Sequence, residues 1–326
     1  MPKNPLDNIF ESGQERIDDH DAFVRKVLGS SKIVRAGKKT RQKEDWNGAD
    51  VNLNIDPKKL IEEKIFGEIY SREQKALKNF FGEEMKIPAL PDYVTPERIG
   101  EWDKIGFDLH YLPPILMAAM LKDKYGVLQV KPKPFPGWRE MLENEIDPTG
   151  INVFTAVKVG DMGETALTLP GCWILFDRTP KPDLNEVYQK DVFAQDLEFL
   201  REAGVFSADP TSFSRLQISI NELQSPAAMR VFAETLKVGN LPKANVLLPS
   251  IIEYNVLGNL YYPQLGRAPI NEWFRDLDNS RYTLGGSSEF GGLEYVNSLE
   301  FEDARRYVED ADPYKVGFRL IVHLSS

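Results

Sequence analysis

A chain of 326 residues is long enough for two domains, and its 42% hydrophobic and 28% charged residues are typical of a globular protein. Lysine and arginine number 40 against 50 acidic residues, which gives a formal net charge of −10. Because an acidic chain repels nucleic acid and anionic lipid at long range, we expect neither as the main partner.

The single cysteine, Cys172, excludes an intramolecular disulfide and is predicted to be a small, buried side chain. Such low cysteine content fits a reducing compartment. The sequence has no apolar run of about 18 residues, so no membrane span is expected. Its first residues carry charges where a secretion signal needs an apolar stretch. We therefore expect a cytoplasmic protein, with display on a surface or particle as the alternative.

Residues 1–54 are polar and poorly periodic. Positions 22–43 hold eight lysines or arginines and no acidic residue. This run lacks the interleaved aromatic residues on which nucleic-acid bases stack. The pattern is typical of a solvated segment, and we interpret 1–54 as a basic, flexible tail.

Two helix starts come next. Asp56 suits an N-cap and Pro57 the first helical position, and an interrupted apolar stripe extends the first predicted helix to about Phe81. Thr95 and Pro96 likewise suit the N-cap and the first helical position, and they predict a second helix. Residues 55–135 are therefore predicted to form a mainly helical region.

Prolines divide the next part of the chain. The apolar run Leu109–Leu121 contains Pro113 and Pro114, and we predict a helix from about Pro114. Around 131–137 three further prolines require an extended or turning chain, because proline fixes φ and restricts the residue before it. We place a domain boundary there, so that 136–326 forms the second domain.

Beyond this boundary, 151–159 and 172–176 are rich in β-branched and aromatic residues and are predicted to be strands. Helices are predicted near 192–203 and 227–236. Farther on, Ser250 and Glu253 have the spacing of a capping box, which predicts a short helix to about residue 258 or 259. The apolar segment 316–324 is predicted to be a closing strand.

Four short motifs after residue 240 occur in a characteristic order: Leu248-Pro249-Ser250 with Glu253 and Tyr254, then Asn271-Glu272-Trp273, then Gly285-Gly286-Ser287, and last Gly317-Phe318-Arg319. In order and spacing they resemble the formylglycine-generating-enzyme family, whose domain has a C-type-lectin-like fold. That family typically has threonine where Ser250 stands, tryptophan where Tyr254 stands, and two residues between the asparagine and the glutamate of its second motif. The resemblance covers about 240–326 and implies an α+β protein with a C-terminal C-type-lectin-like domain over 136–326.

The same residues have a structural interpretation of their own. Trp273 is a natural core anchor, and glycine pairs allow close backbone approach. Arg319 lies inside an apolar strand and needs a carboxylate or carbonyl partner, for which Glu272 is a candidate. The residues assigned to the scaffold are Ser250, Glu253, Glu272, Trp273, Gly285, Gly286, Gly317, Phe318 and Arg319.

Catalytic signals are weak. Oxidases of the family use a cysteine pair on the stretch before Gly-Phe-Arg, and residues 296–306 contain no cysteine. Thiolate chemistry needs a thiol, so formylglycine-generating activity is not expected. The three histidines, at 20, 110 and 323, lack metal-ligand spacing. We expect no cofactor; the acidic residues between 276 and 312 leave a structural calcium ion as a minority alternative.

The remaining resemblance is to ligand-binding members with this fold, among them the variable proteins of diversity-generating retroelements, which present a variable surface near the C-terminus on a fixed scaffold. Aromatic and arginine side chains commonly anchor such interfaces. The candidate ligand-binding residues are Arg281, Tyr282, Phe290, Tyr295, Asn297, Phe301 and Arg305. The predicted function is non-enzymatic binding of a protein or glycan. A structural or assembly protein of a virion or mobile element and a diverged enzyme of the family are the alternatives, and the oligomeric state stays open.

Overall fold

A computed structural model describes residues 57–137, 153–182, 188, 190–207, 215–216, 218–267, 270–278, 281–285, 295–297 and 316–325. All of them belong to one compact unit, Ile55–Ser326. They form a mixed α+β structure with seven helices and two four-stranded sheets. The tail predicted for 1–54 lies outside these residues.

Both N-terminal helices are confirmed. Helix α1 spans Pro57–Phe81, and α2 spans Pro96–Lys104. The side chain of Thr95 caps α2 by accepting a hydrogen bond from the amide of Arg98, which satisfies one of the free amides of the first turn.

The helix predicted from Pro114 is wrong. Strand β1 (Phe107–Leu112) ends at the two prolines, and strands β2 (Ala118–Lys122) and β3 (Leu128–Pro132) form a hairpin after them. Proline ends a strand as readily as it begins a helix, because it lacks the amide that a sheet ladder needs. The segment 55–135 therefore contains three strands besides its two helices and is not mainly helical.

The central sheet has the order β1-β4-β10-β5 and is antiparallel throughout. Its other members are β4 (Cys172–Asp177), β10 (Ile321–Leu324) and β5 (Ala244–Leu247). The strand predicted at 172–176 is thus confirmed. Because β1 precedes residue 136 and β4 follows it, the two predicted domains share one sheet and one core.

The strand predicted at 151–159 is wrong: helix α3 occupies Val153–Val159. Its buried residues are Val153, Phe154, Ala156 and Val157, a helical spacing. Packing of this apolar face overrides the β preference of its valines.

Four more helices complete the described chain. The predicted helices near 192–203 and 227–236 are confirmed as α4 (Ala194–Glu202) and α6 (Pro226–Thr235), with the unpredicted one-turn α5 (Ile220–Leu223) between them. Helix α7 (Ile251–Leu260) follows the predicted capping box. None of the described helices combines the length and apolar content needed to cross a bilayer.

The central sheet is covered on both faces. His110, Ile174 and His323 stand in register on three neighbouring strands and so lie on one face. Helix α7 covers that face, because Glu253 in its first turn contacts His323 and Tyr262 just beyond its end contacts His110.

A chain of aromatic rings packs behind the opposite face. Phe107 of β1 contacts Phe193, Phe193 contacts Phe232 of α6, and Phe232 contacts Phe318. Such pairs add to the burial of the rings themselves. They join α6 and the start of α4 to the central sheet.

The second sheet, here called the C-terminal sheet, has the order β8-β7-β6-β9. Its strands are β6 (Asn271–Asp278), β7 (Arg281–Gly285), β8 (Tyr295–Asn297) and β9 (Val316–Gly317). The closing strand predicted over 316–324 is therefore divided between β9 in this sheet and β10 in the central sheet. The turn between them, 318–320, carries the chain from one sheet to the other.

Candidate functional site

The predicted capping box is present and forms part of a larger buried polar cluster. The Ser250 hydroxyl accepts from the Glu253 amide at 3.2 Å, and the Glu253 carboxylate accepts from the Ser250 amide at 2.8 Å. The same carboxylate, fully buried, also accepts from Arg275 of β6 at 2.7 Å and lies 3.0 Å from His323 Nε2. One side chain therefore joins α7, the C-terminal sheet and the central sheet.

Charge explains why Glu253 can be buried. Burial alone would raise its pKa, but the charge of Arg275 and hydrogen bonds from His323 and Arg275 hold that pKa well below its ordinary value. The carboxylate therefore stays ionised at neutral pH and keeps its partners in place.

The predicted pair of Glu272 and Arg319 is also present. Arg319 is fully buried, and its guanidinium donates to both carboxylate oxygens of Glu272, at 3.0 and 3.2 Å. It also donates to two carbonyl oxygens at the end of β4. One belongs to Asp177, and the other, at 2.9 Å, belongs to Thr179. Arg319 therefore holds the C-terminal sheet against the central sheet through its planar fork of donors.

A close approach of the Tyr188 side chain to the backbone explains why position 317, just before the 318–320 turn, is a glycine. The hydroxyl of Tyr188 donates to Glu272 at 2.8 Å, and a Cβ at position 317 would overlap that hydroxyl. Phe318 is fully buried, and Trp273 is buried with its indole donating to the carbonyl of Ile218 at 3.0 Å. The scaffold roles predicted for these residues are consistent with their positions; Gly285 ends β7, and Gly286 lies outside the described residues.

Strand β6 contains an irregularity that separates its anchored half from its outer half. Trp273 pairs with Leu284, but Leu277 pairs with Tyr282, so β6 has two extra residues between the pairs. Within this bulge the Arg275 amide donates to the carbonyl of Pro249 at 3.1 Å. A bulge bends a strand and redirects its side chains, and bulges occur frequently beside binding sites.

Beyond the bulge an apolar side chain faces solvent. Leu277 is 45% exposed, although residues 272–274 of the same strand are buried. Leu277 was not among the predicted ligand-binding residues, because an isolated leucine in a strand has no sequence signal that distinguishes it from a core residue.

Four predicted ligand-binding residues lie on adjacent strands of the C-terminal sheet. Arg281 and Tyr282 belong to β7, and Tyr295 and Asn297 belong to β8. Tyr282 is paired with Leu277, and Asn297 with Thr283 of β7. The other three predicted residues, Phe290, Phe301 and Arg305, lie outside the described residues.

Comparison of the chain with protein-family models, with curated proteins and with solved structures finds no match. A function for this protein has to be inferred from the geometry of the molecule and the chemistry of its side chains.

The burial and the thiol pKa of the cysteine in β4 are the opposite of those of a catalytic nucleophile. Cys172 is partly buried, and burial, together with the negative charge of Glu253, raises the pKa of its thiol to about 12. A reactive cysteine needs a lowered pKa. At neutral pH Cys172 is therefore a thiol and not a thiolate.

Metal ligands do not converge in the described part of the chain. Within it, histidine, cysteine and carboxylate side chains form no group of three that could hold a metal ion.

A second buried polar cluster, unpredicted by the sequence, lies at the other end of α7. The Glu73 carboxylate of α1 lies 3.1 Å from His110 Nδ1 and accepts from the Tyr261 hydroxyl at 2.7 Å. His110 Nε2 lies 2.6 Å from the hydroxyl of Tyr262, which donates to Asp108 at 2.7 Å. Side chains from α1, β1 and the end of α7 are therefore joined by short polar contacts in the interior.

Proposed function

We propose that the protein is a non-enzymatic binding protein that presents part of its C-terminal sheet, with the loops between its strands, to a protein or glycan ligand. The proposal includes a C-type-lectin-like scaffold of the formylglycine-generating-enzyme type, possessed also by the variable proteins of diversity-generating retroelements. It rests on the motifs after residue 240 and on the arrangement of strands β6, β7 and β8.

The observation that most supports it is the contrast along β6. The first half of this strand is fixed by the Glu272–Arg319 pair and the bulge by Arg275 and Glu253. The second half exposes Leu277 next to position 282. A rigid support under an exposed apolar side chain is what tight binding needs, because little freedom is then lost on association.

The chemistry near the sheet argues against the enzymatic alternative. The thiol of Cys172 is protonated at neutral pH. The buried carboxylates of Glu253 and Glu272 are each engaged by an arginine. Groups committed to internal partners do not offer a free acid, base or nucleophile to a substrate.

A binding screen with structure-matched variants tests the proposal. The wild-type chain is applied to a glycan array and to a library of displayed surface proteins, and each ligand is titrated against Tyr282→Ala, Leu277→Ala and Leu60→Ala. Loss of an interface anchor typically costs about 2 kcal/mol, or roughly 30-fold in affinity. We expect such losses for Tyr282→Ala and Leu277→Ala, whereas Leu60→Ala, which removes an exposed leucine of α1, should leave the affinity unchanged.

Equal affinity of all three variants for every ligand would contradict the proposal. A near-copy of the 3′ end of the gene in adjacent DNA, differing mainly at adenines, would independently support the comparison with retroelement variable proteins.

A further inference from the structure

The β2–β3 hairpin is a separate two-stranded sheet that joins neither of the four-stranded sheets. Its base is fixed by two backbone hydrogen bonds: the Met117 amide donates to Leu167 at 2.8 Å, and the Lys133 amide donates to Met117 at 3.0 Å. Its turn is fixed by Asp123, whose carboxylate accepts from the amides of Tyr125 and Val127 at 2.8 and 2.9 Å. The hairpin, here called the arm, therefore has a defined conformation.

Three large apolar side chains are exposed within seven residues of this arm: Leu121 at 65%, Tyr125 at 78% and Val127 at 52%. Exposed apolar residues that occur singly need no explanation, but a cluster of them marks a contact surface.

The charge of the arm is opposite to that of the chain. Residues 118–133 contain four lysines and one aspartate, which gives a formal charge of +3, whereas the whole chain carries −10. Like charges disfavour the pairing of two such arms with one another, and the acidic remainder of the chain disfavours an anionic membrane. The complementary surface is acidic and partly apolar.

Helix α4 presents such a surface. Phe199 is 56% exposed, and the exposed Glu198 and Glu202 lie beside it. The two glutamates are four residues apart, a spacing at which like charges repel on a helix. A cation placed between them from outside would relieve that repulsion.

We propose that the hairpin of one molecule docks on α4 of a second copy of this chain, with its exposed apolar residues against Phe199 and Lys124, in its turn, between Glu198 and Glu202. Reciprocal docking produces a two-fold dimer, and one-sided docking produces a longer assembly. This inference is independent of the proposed ligand-binding function.

Sedimentation velocity of the full chain over a range of concentrations tests it, with charge-reversal variants. We expect concentration-dependent self-association that weakens at high salt, because exposed charges are screened. Lys124→Glu, and separately Glu198→Lys with Glu202→Lys, should each weaken association at least about tenfold, or about 1.4 kcal/mol. An equimolar mixture of these two variants should form heterodimers, because one contact then joins the new glutamate of the hairpin to the new lysines of α4 and the other contact has the wild-type charges.

The control, Lys64→Glu at an exposed position of α1, makes the same charge change as Lys124→Glu outside the contact and should associate as the wild type does. Urea unfolding of each variant shows that it is folded. A chain that stays monomeric at every concentration, or a mixture that does not associate, overturns the proposal. Binding to phosphatidylserine vesicles that depends on Lys124, without self-association, overturns it in favour of a lipid surface.

Discussion

Replacing Glu73 with glutamine tests whether buried charges determine the stability of the cluster around His110. Burial alone would raise the pKa of Glu73, but the charges of His110 and Arg72 and hydrogen bonds from His110 and Tyr111 lower it from 4.5 to about 2. Since each tenfold change in a dissociation constant corresponds to about 1.4 kcal/mol, this lowering contributes about 3 kcal/mol to the free energy of unfolding.

The direction of this change in pKa sets the sign of the pH dependence. A carboxyl group whose pKa is lower in the folded state stabilises the fold above its unfolded pKa of 4.5, and this contribution is lost as the pH falls toward about 2. Urea unfolding should therefore show Glu73→Gln less stable than the wild type by about 3 kcal/mol at neutral pH and by less than half of that at about pH 3.

A control carboxylate is available on the surface. Glu84 is exposed and bonded to Lys78 at 2.8 Å, and surface pairs contribute little to stability. Glu84→Gln should unfold as the wild type does at both pH values. A stability difference between Glu73→Gln and the wild type that does not change with pH would refute the role assigned to the ionised carboxylate.

Three further predictions concern the scaffold. Trp273→Ala should cost about 3–5 kcal/mol of stability in urea melts, and Tyr282→Ala much less; equal losses would show that the scaffold and the binding face are wrongly divided. Gly317→Ala should destabilise the protein by about 1–3 kcal/mol, because its methyl group meets the hydroxyl of Tyr188, and combining it with Tyr188→Phe should not add the two single losses in the same melts. The Cys172 thiol, with its pKa raised to about 12, should react with a maleimide far more slowly at pH 8 than a free thiol, and rapid labelling of the folded protein would contradict that pKa.

Local signals explain what the sequence could predict. The capping box of Ser250 and Glu253 spans four consecutive residues, so its geometry is encoded within one turn of helix. An arginine within an apolar segment, such as Arg319, predicts a buried partner by its charge alone, and Glu272 fulfils that expectation. Both inferences rest on rules that need no knowledge of the distant chain.

The wrong predictions of secondary structure concern segments for which local sequence rules allow more than one structure. The prolines at 113 and 114 end a strand whose partner, β4, is some 60 residues away along the chain, and no nearby residue signals that pairing. The valines of Val153–Val159 suit a strand as well as a short helix, and packing decides between them. The contact of His110 with Tyr262 joins residues 152 positions apart and has no sequence signal at all.

The buried polar contacts at both ends of α7 indicate how the C-terminal sheet acquires a fixed position. An apolar contact tolerates sliding, whereas a buried carboxylate that loses its partner costs several kcal/mol. Glu253 can satisfy Arg275 and His323 together only in one register of α7 against β6 and β10. At its other end, Tyr261 and Tyr262 must meet Glu73 and Asp108 in the same arrangement. With both ends of the helix specified, the bulge of β6 has one position, and Leu277 is presented at one place on the surface.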